Sequence, residues 1–245
     1  MTRVLWLTPD KPADISVGRR RIADHLESSG FDVTLRGTTM QTATRSVRER
    51  DHYDAIVGTT RAGAIAGAMV RLAGGPPLVV DHIDPIRQFA ETRSPLRALG
   101  VRLAENAAFH LSSTTLFVYE EERSRVERHA PRAEKTALGV EYERFASPDP
   151  DVVQRVRSQR LDAIDDRIAI YVGGLEPIYN VMTLLDAIEL LDGWTLVVIG
   201  TGSLTDRVER RASNRGDVHY FGTVPHDDIP GYLASADVGV CLVDD

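Results

Sequence analysis

The chain has 245 residues, 42% hydrophobic and 27% charged, which excludes a disordered polymer and leaves apolar mass for one large domain or two modest ones. No apolar run approaches the roughly 18 residues of a membrane span, the first residues show no signal-peptide h-region, and the single cysteine, Cys241, excludes an intramolecular disulfide or a cysteine-rich zinc site. The net charge of −7 sets a repulsive field against a phosphate backbone, so nucleic-acid binding is not expected and a cytoplasmic globular protein is.

The predicted elements follow one rhythm, short β-branched runs alternating with helix-period segments. A strand over Arg3–Thr8 is followed by a helix from Val17 to Ser29, stopped at Gly30. Further strands are expected at Asp32–Leu35, Ala55–Thr59, Leu78–Val80, Thr115–Tyr119 and Lys135–Val140, with helices around 41–50, 61–73, 92–110 and 120–129. Runs such as Leu78-Val79-Val80 are apolar throughout, as parallel strands covered on both faces must be. The segment Ser147-Pro148-Asp149-Pro150 reads as a linker feeding a helix at 151–161.

A second block then repeats the pattern. Its strands are expected at Ile168–Val172, Thr195–Ile199, Val218–Phe221 and Asp237–Val243, its helices at Val181–Leu191, 204–213 and 227–235. The fold class is therefore α/β with two Rossmann-like domains, 1–147 and 148–245. The second has four strand candidates and the sequence ends as the fourth ends, so an incomplete second domain with an exposed sheet edge is expected.

Several segments could carry chemistry. Gly200-Thr201-Gly202-Ser203 follows a strand and opens a helix, where main-chain amides and the helix dipole favour an anion; a tight strand-to-helix turn explains it equally well. Thr205 stands where a dinucleotide fingerprint would need glycine. Gly173-Gly174 ends another strand at the edge where open α/β sheets bind ligands, and Asn180 is placed to cap the next helix.

In the first block, Gly18 precedes Arg19-Arg20-Arg21 at a helix start, where cations oppose the dipole; a bound phosphate or a solvated basic face would account for them. In Asp81-His82-Ile83-Asp84-Pro85 a histidine is flanked by carboxylates, a setting for acid–base chemistry or for turn hydrogen bonds, with too few groups for a metal shell. Glu120-Glu121-Glu122 reads as an acidic first turn. The helix around 95–110 places Leu96, Leu99 and Leu103 on one face and Arg97 and Arg102 on another. It reads either as core-facing or as lying on an anionic membrane surface, a peripheral membrane contact.

Taken in order, the second-block motifs resemble the family-4-type (group 1) glycosyltransferases of the GT-B fold. Gly139-Val140-Glu141-Tyr142-Glu143-Arg144-Phe145 resembles the family's interdomain N-G-V-D-x-x-x-F, and Tyr171–Pro177 its first C-domain strand and loop. Val198-Ile199-Gly200-Thr201-Gly202 resembles V-x-G-x-G, Val218–Pro225 resembles V-x-F-x-G-x-V-P, and Tyr232–Val238 resembles Y-x-x-A-D-V. In the first block, Gly30-Phe31-Asp32-Val33 resembles G-H-x-V and Pro77–Asp84 the P-V-V-x-T-x-H-D strand end.

The resemblance implies transfer of a sugar from a nucleotide-sugar to a glycan or lipid-linked acceptor, usually with retention, with no cofactor and no obligatory metal. It places Gly200, Gly202 and Ser203 beside the donor, Thr223 and Val224 at the base, Gly18 at the diphosphate, and His82 or Asp84 near the transferred sugar; Gly173 and Gly174 are expected to join the donor site from their strand end, and Arg19 to substitute for a missing cation. Three departures accompany it. Gly174 and Tyr179 stand where the family has the cationic pair that grips the diphosphate. His82 lies one position early, with Ile83 in its place, and the acidic E-x7-E region would fall beyond Asp245. Two other readings are a nucleotide-sugar-binding fragment that needs a partner, or is not catalytic, and a sugar-nucleotide epimerase.

Overall fold

The apolar runs pair in parallel throughout. The computed structural model describes residues 1–10, 15–83 and 95–242. It divides into two units, Met1–Gly139 and Val140–Asp245, so the boundary precedes the Ser147-Pro148 segment, which lies inside the second unit.

The first unit holds β1 (Thr2–Thr8), α1 (Val17–Ser28), β2 (Phe31–Gly37), α2 (Met40–Arg48), β3 (Ala55–Thr59), α3 (Thr60–Leu72) and β4 (Leu78–His82). It continues with α4 (Pro95–Leu111), β5 (Thr114–Phe117), α5 (Arg123–His129) and β6 (Ala133–Lys135). The sheet order is β2-β1-β3-β4-β5-β6, and every pair is parallel. Strands that alternate with helices can be parallel only through such crossovers. Leu5, Leu7, Ile56, Leu78, Val80, Phe109 and Phe117 form the buried core.

One corner of this sheet is under tension. Thr60, the first residue of α3, has φ +58°, a region β-branched residues avoid. The strand reverses there into a helix that lies almost on it. A Cβ on Gly58 would stand 2.5 Å from the Gly63 carbonyl oxygen, and one on Gly63 would stand 2.3 Å from that of Leu7. Only glycines permit that approach.

The second unit holds α6 (Tyr142–Ala146), α7 (Pro150–Arg160), β7 (Arg167–Val172), α8 (Val181–Ile188), β8 (Trp194–Ile199), α9 (Thr205–Ser213), β9 (Val218–Tyr220), α10 (Ile229–Ser235) and β10 (Val238–Gly239). Its parallel order is β10-β7-β8-β9. Central β8 is buried on both faces, Leu196 and Val198 in one cluster and Val197 and Ile199 in the other, which is why it shows no polar alternation. Arg144 ties the segment before α7 into this unit, with Nη2 donating to the His226 carbonyl at 2.6 Å and to Asp227 at 2.9 Å.

Most predicted elements stand within a residue or two. The strand expected at Lys135–Val140 is instead Ala133–Lys135, because Thr115 and Phe117 of β5 fix the register upstream. The last expected strand, Asp237–Val243, contributes two ladder residues among those described, Val238 and Gly239 opposite Ala169 and Ile170. Asn180 stands at the start of α8 in a left-handed conformation, φ +47°, and its side chain makes no capping hydrogen bond. The geometry asparagine tolerates has replaced the cap expected of it.

Candidate functional site

In the second unit the residues singled out from the sequence converge. Gly173 and Gly174 follow β7, Gly200, Gly202 and Ser203 follow β8, and Thr223 and Val224 follow β9, so all lie at the carboxyl ends of three adjacent strands. That edge is where open parallel sheets present ligand loops.

The loops are laced together by main chain. The Gly173 amide donates to the Ile199 carbonyl at 3.0 Å, Leu175 to Thr201 at 3.0 Å, and Gly200 to Gly222 at 2.8 Å. Gly200 has φ +138°, and a Cβ there would lie 1.8 Å from the Gly173 oxygen; one on Gly202 would lie 2.4 Å from that of Leu175. These glycines were expected to leave room for a ligand. Their immediate cause is loop-on-loop contact, which shapes the edge rather than lining it.

Side chains complete the lacing. Tyr171 donates to the Gly174 carbonyl at 2.6 Å, and Tyr220 to that of Gly200 at 2.9 Å. The Gly202 amide donates to Thr205 Oγ1 at 2.9 Å. Ser203 donates its amide to Glu176 at 3.0 Å and its hydroxyl to the other carboxylate oxygen. Those two bonds hold the Glu176 carboxyl below its usual range. An anion is thus already seated on Ser203, and it belongs to the chain.

The two positions where the resemblance expects cations meet in space. A Cβ on Gly174 would lie 3.1 Å from the Tyr179 ring, so the ring covers the glycine. Sequence spacing could not show that contact.

In the first unit Gly18 is the second residue of α1 and exposed, and a Cβ on it would meet nothing within 4 Å, so packing there does not require glycine. Arg19 is paired: its Nη1 reaches both Asp10 oxygens at 3.0 Å and Ser16 Oγ at 3.1 Å. Arg20 donates to the Ile15 carbonyl at 3.2 Å. Arg19 and Arg20 at the start of α1 are thus held by the segment that precedes the helix.

His82, expected near a transferred sugar, is a buried residue of the first unit. Along β4 the side chains alternate, and His82 shares the inward face of Leu78 and Val80. It is 2% exposed, edge-on to Phe109 at 5.1 Å. Its Nε2 lies 3.0 Å from Glu122 and its Nδ1 lies 3.2 Å from Glu105. Arg125 bridges the same carboxylates, at 2.6 Å to Glu105 and 2.9 Å to Glu122.

Burial lowers the imidazole's pKa, but the facing carboxylates of Glu105 and Glu122 outweigh it and hold the pKa above the ordinary value. Burial raises that of Glu105, and His82 and Arg125 bring it below. Both ring nitrogens face carboxylates, so the imidazole belongs to a buried polar cluster with Glu105, Glu122 and Arg125. Asp84 lies outside the described residues.

The sequence reading missed this cluster. Glu122 was read with Glu120 and Glu121 as dipole-stabilising acid, yet it is buried on His82 while Glu120 pairs outside with Lys135 at 2.6 Å. A lone carboxylate, Glu105, inside an otherwise apolar helical face was the available signal. Asp81, on the opposite face of β4, accepts from Thr59 Oγ1 at 3.1 Å, which accepts from Trp6 Nε1 at 2.6 Å, a chain joining three strands near their carboxyl ends. Among the described residues no group of histidines, cysteines and carboxylates has metal-site geometry, and no helix is long and apolar enough to cross a membrane.

Residues 166–243 match the family described as "Glycosyl transferases group 1". No match is found among curated proteins. Among solved structures, the fold is similar to Anabaena Alr3699/HepE in complex with UDP and glucose, with TM-score 0.76 and 17% identity over 99% of this chain and 74% of that one. It is also similar to the sucrose-phosphate synthase (tll1590) of Thermosynechococcus elongatus, with TM-score 0.78 and 14% identity over 98% and 75%. The third is WaaG, a glycosyltransferase involved in lipopolysaccharide biosynthesis, with TM-score 0.69 and 15% identity over 98% and 75%. The chain therefore has the GT-B fold, and residues 166–243 of its second unit are similar to the group 1 glycosyltransferases.

Proposed function

We propose that the chain binds a nucleotide-sugar at the carboxyl edge of the second sheet and moves its sugar to a glycan or lipid-linked acceptor, with retention at the anomeric carbon. In that reaction the bond from anomeric carbon to phosphate oxygen breaks and a bond to an acceptor oxygen forms. The acceptor's proton leaves with the nucleoside diphosphate. The observation that carries the reading is the convergence of the loops after β7, β8 and β9, within the segment that matches the family. Structures of similar fold hold UDP and glucose, or UDP-glucose.

The chain's own groups suit the diphosphate in an unusual way. No cation stands at Gly174 or Tyr179, so charge stabilisation falls to main-chain dipoles. The amides of Gly174, Thr201 and Thr223 have no acceptor within the loops, and α9 starts beside them with its positive end. Val224, beside Thr223, suits an apolar contact with the base.

Titration calorimetry with UDP- and GDP-sugars, together with a transfer assay, tests this. Heat with at least one donor is expected, and none with any donor refutes it. A second reading, a nucleotide-sugar-binding subunit without transfer, is favoured by the Glu176 carboxylate already seated on Ser203. Binding without turnover would select it.

A further inference from the structure

The two sheets end in four edge strands, and one of them differs from the rest. Among the described residues β6 and β9 are three residues long and β10 two, and β6 carries Glu134 and Lys135. Short or charged edges resist pairing with other chains. β2 instead runs seven residues, in register with β1 at each of them, without proline, lysine or a bulge. The Thr38 amide donates to the Thr8 carbonyl at 2.9 Å. By the alternation of a ladder, the even-numbered residues of β2 therefore bond inward to β1, and the odd-numbered ones turn their amides and carbonyls outward. Thr42 Oγ1 donates to the Gly37 carbonyl at 2.6 Å and closes that end. Phe31, Val33 and Leu35 remain, and among the described residues no strand pairs with them on the outer side.

The open stretch Phe31-Asp32-Val33-Thr34-Leu35 complements itself when reversed. In an antiparallel pair with Val33 opposite Val33 of a second copy, Phe31 faces Leu35 and Asp32 faces Thr34. Each outward residue then exchanges both main-chain bonds with its opposite. Phe31, Val33 and Leu35, half-buried in one copy, cover one another on one face. On the other face the Thr34 hydroxyl donates to the Asp32 carboxylate, and no like charges stand opposite. Helix α1, which packs against β2, carries Arg19, Arg20 and Arg21 at its start and Asp24 and Glu27 toward its end. The same reversal sets its basic start beside the acidic end of the other copy.

We propose that β2 pairs with β2 of a second copy of this chain, joining the two first-unit sheets about a two-fold axis at Val33. The contact is isologous, since each copy offers the same strand and the same helix. A foreign extended segment would find the same outward amides and carbonyls, but only a second copy also brings the matched ends of α1.

Sedimentation velocity on the full chain tests this without any substrate. A dimer whose share rises with concentration is expected. Val33→Pro removes an outward amide and leaves the bonds to β1 intact, so the dimer should weaken about tenfold or more, one bond being lost from each copy. Asp32→Arg removes the acceptor opposite Thr34 and should weaken it about tenfold as well. Because Asp32 is exposed, that variant should melt with the wild type, which separates pairing from folding. Cross-linking reads the register. In a Cys241→Ser background, Asp32→Cys chains mixed with Thr34→Cys chains should form a mixed disulfide on oxidation, since opposite residues of a non-hydrogen-bonded pair lie about 4.5 Å apart between Cα atoms. Neither variant alone should do so as readily. A chain that stays monomeric at about 100 μM overturns the proposal. So does a dimer that survives both Val33→Pro and Asp32→Arg, or a disulfide formed as fast by either cysteine variant alone as by the mixture.

Discussion

Replacing Glu105 by glutamine keeps its shape and removes the charge that Arg125 and His82 share. The side chain is fully buried, 2.6 Å from Arg125 Nη2 and 3.2 Å from His82 Nδ1. Glu122 would then face Arg125 and His82 alone. Breaking a buried pair on one side costs about 3–5 kcal/mol; the glutamine oxygen still accepts one bond, so a loss near 3 kcal/mol is expected. A domain holds only about 5–15 kcal/mol in all, so the unfolding midpoint must move visibly.

The pH dependence gives a second readout. His82 is raised on folding, so its contribution is complete below its ordinary value of 6.5 and is lost as pH rises through the folded value. Glu105 is depressed, so its contribution is complete above its ordinary value of 4.5 and is lost as pH falls through the folded value. Stability of the first unit should therefore peak between these limits in the wild type. In Glu105→Gln the peak should flatten. Urea unfolding followed by Trp6 fluorescence in a Trp194→Phe background reads the first unit, since each unit holds one tryptophan. A loss under about 0.5 kcal/mol with an unchanged pH profile would refute the charged cluster.

The other predictions are shorter. Gly174→Arg with Tyr179→Lys restores the paired cations where the two positions touch and should tighten UDP-sugar binding about tenfold by calorimetry, one charge-assisted bond's worth. Glu176→Gln removes the carboxylate's charge from Ser203 and should tighten the same donors severalfold; weaker binding would mean that Glu176 helps to hold the donor. Thr60→Gly relieves the left-handed strain and should stabilise the first unit by up to about 1 kcal/mol in urea. Gly63→Ala must push against the Leu7 carbonyl and should cost about 1–3 kcal/mol.

Much of the fold was readable because hydrophobic period is a local signal. Leu78-Val79-Val80 declares a strand buried on both sides, and Val181, Leu184, Leu185 and Ile188 declare a helix with one buried face. What stayed hidden depends on contacts distant in sequence. His82 meets Glu122 across 40 residues, and no local pattern distinguishes that carboxylate from its neighbours Glu120 and Glu121. The same limit applied to α4, whose leucines repeat at core spacing. The sequence shows the stripe, but only the position of Glu105 and Phe109 against the sheet shows which side is inside.

The glycines of the second unit show how one residue type can support two arguments. Gly200 and Gly202 are required by the carbonyls of Gly173 and Leu175, so a ligand is not needed to explain them. Yet that loop-on-loop contact fixes the amides of Gly174 and Thr201 on the same edge without using them as donors. Dipoles held by the scaffold stabilise a diphosphate without reorganising when it departs, whereas flexible lysines must be ordered first. Losing two cations at Gly174 and Tyr179 therefore weakens attraction for the donor more than it weakens the rigidity of its cradle. That asymmetry predicts weak donor binding with the loop geometry intact, and restored cations should act chiefly on affinity.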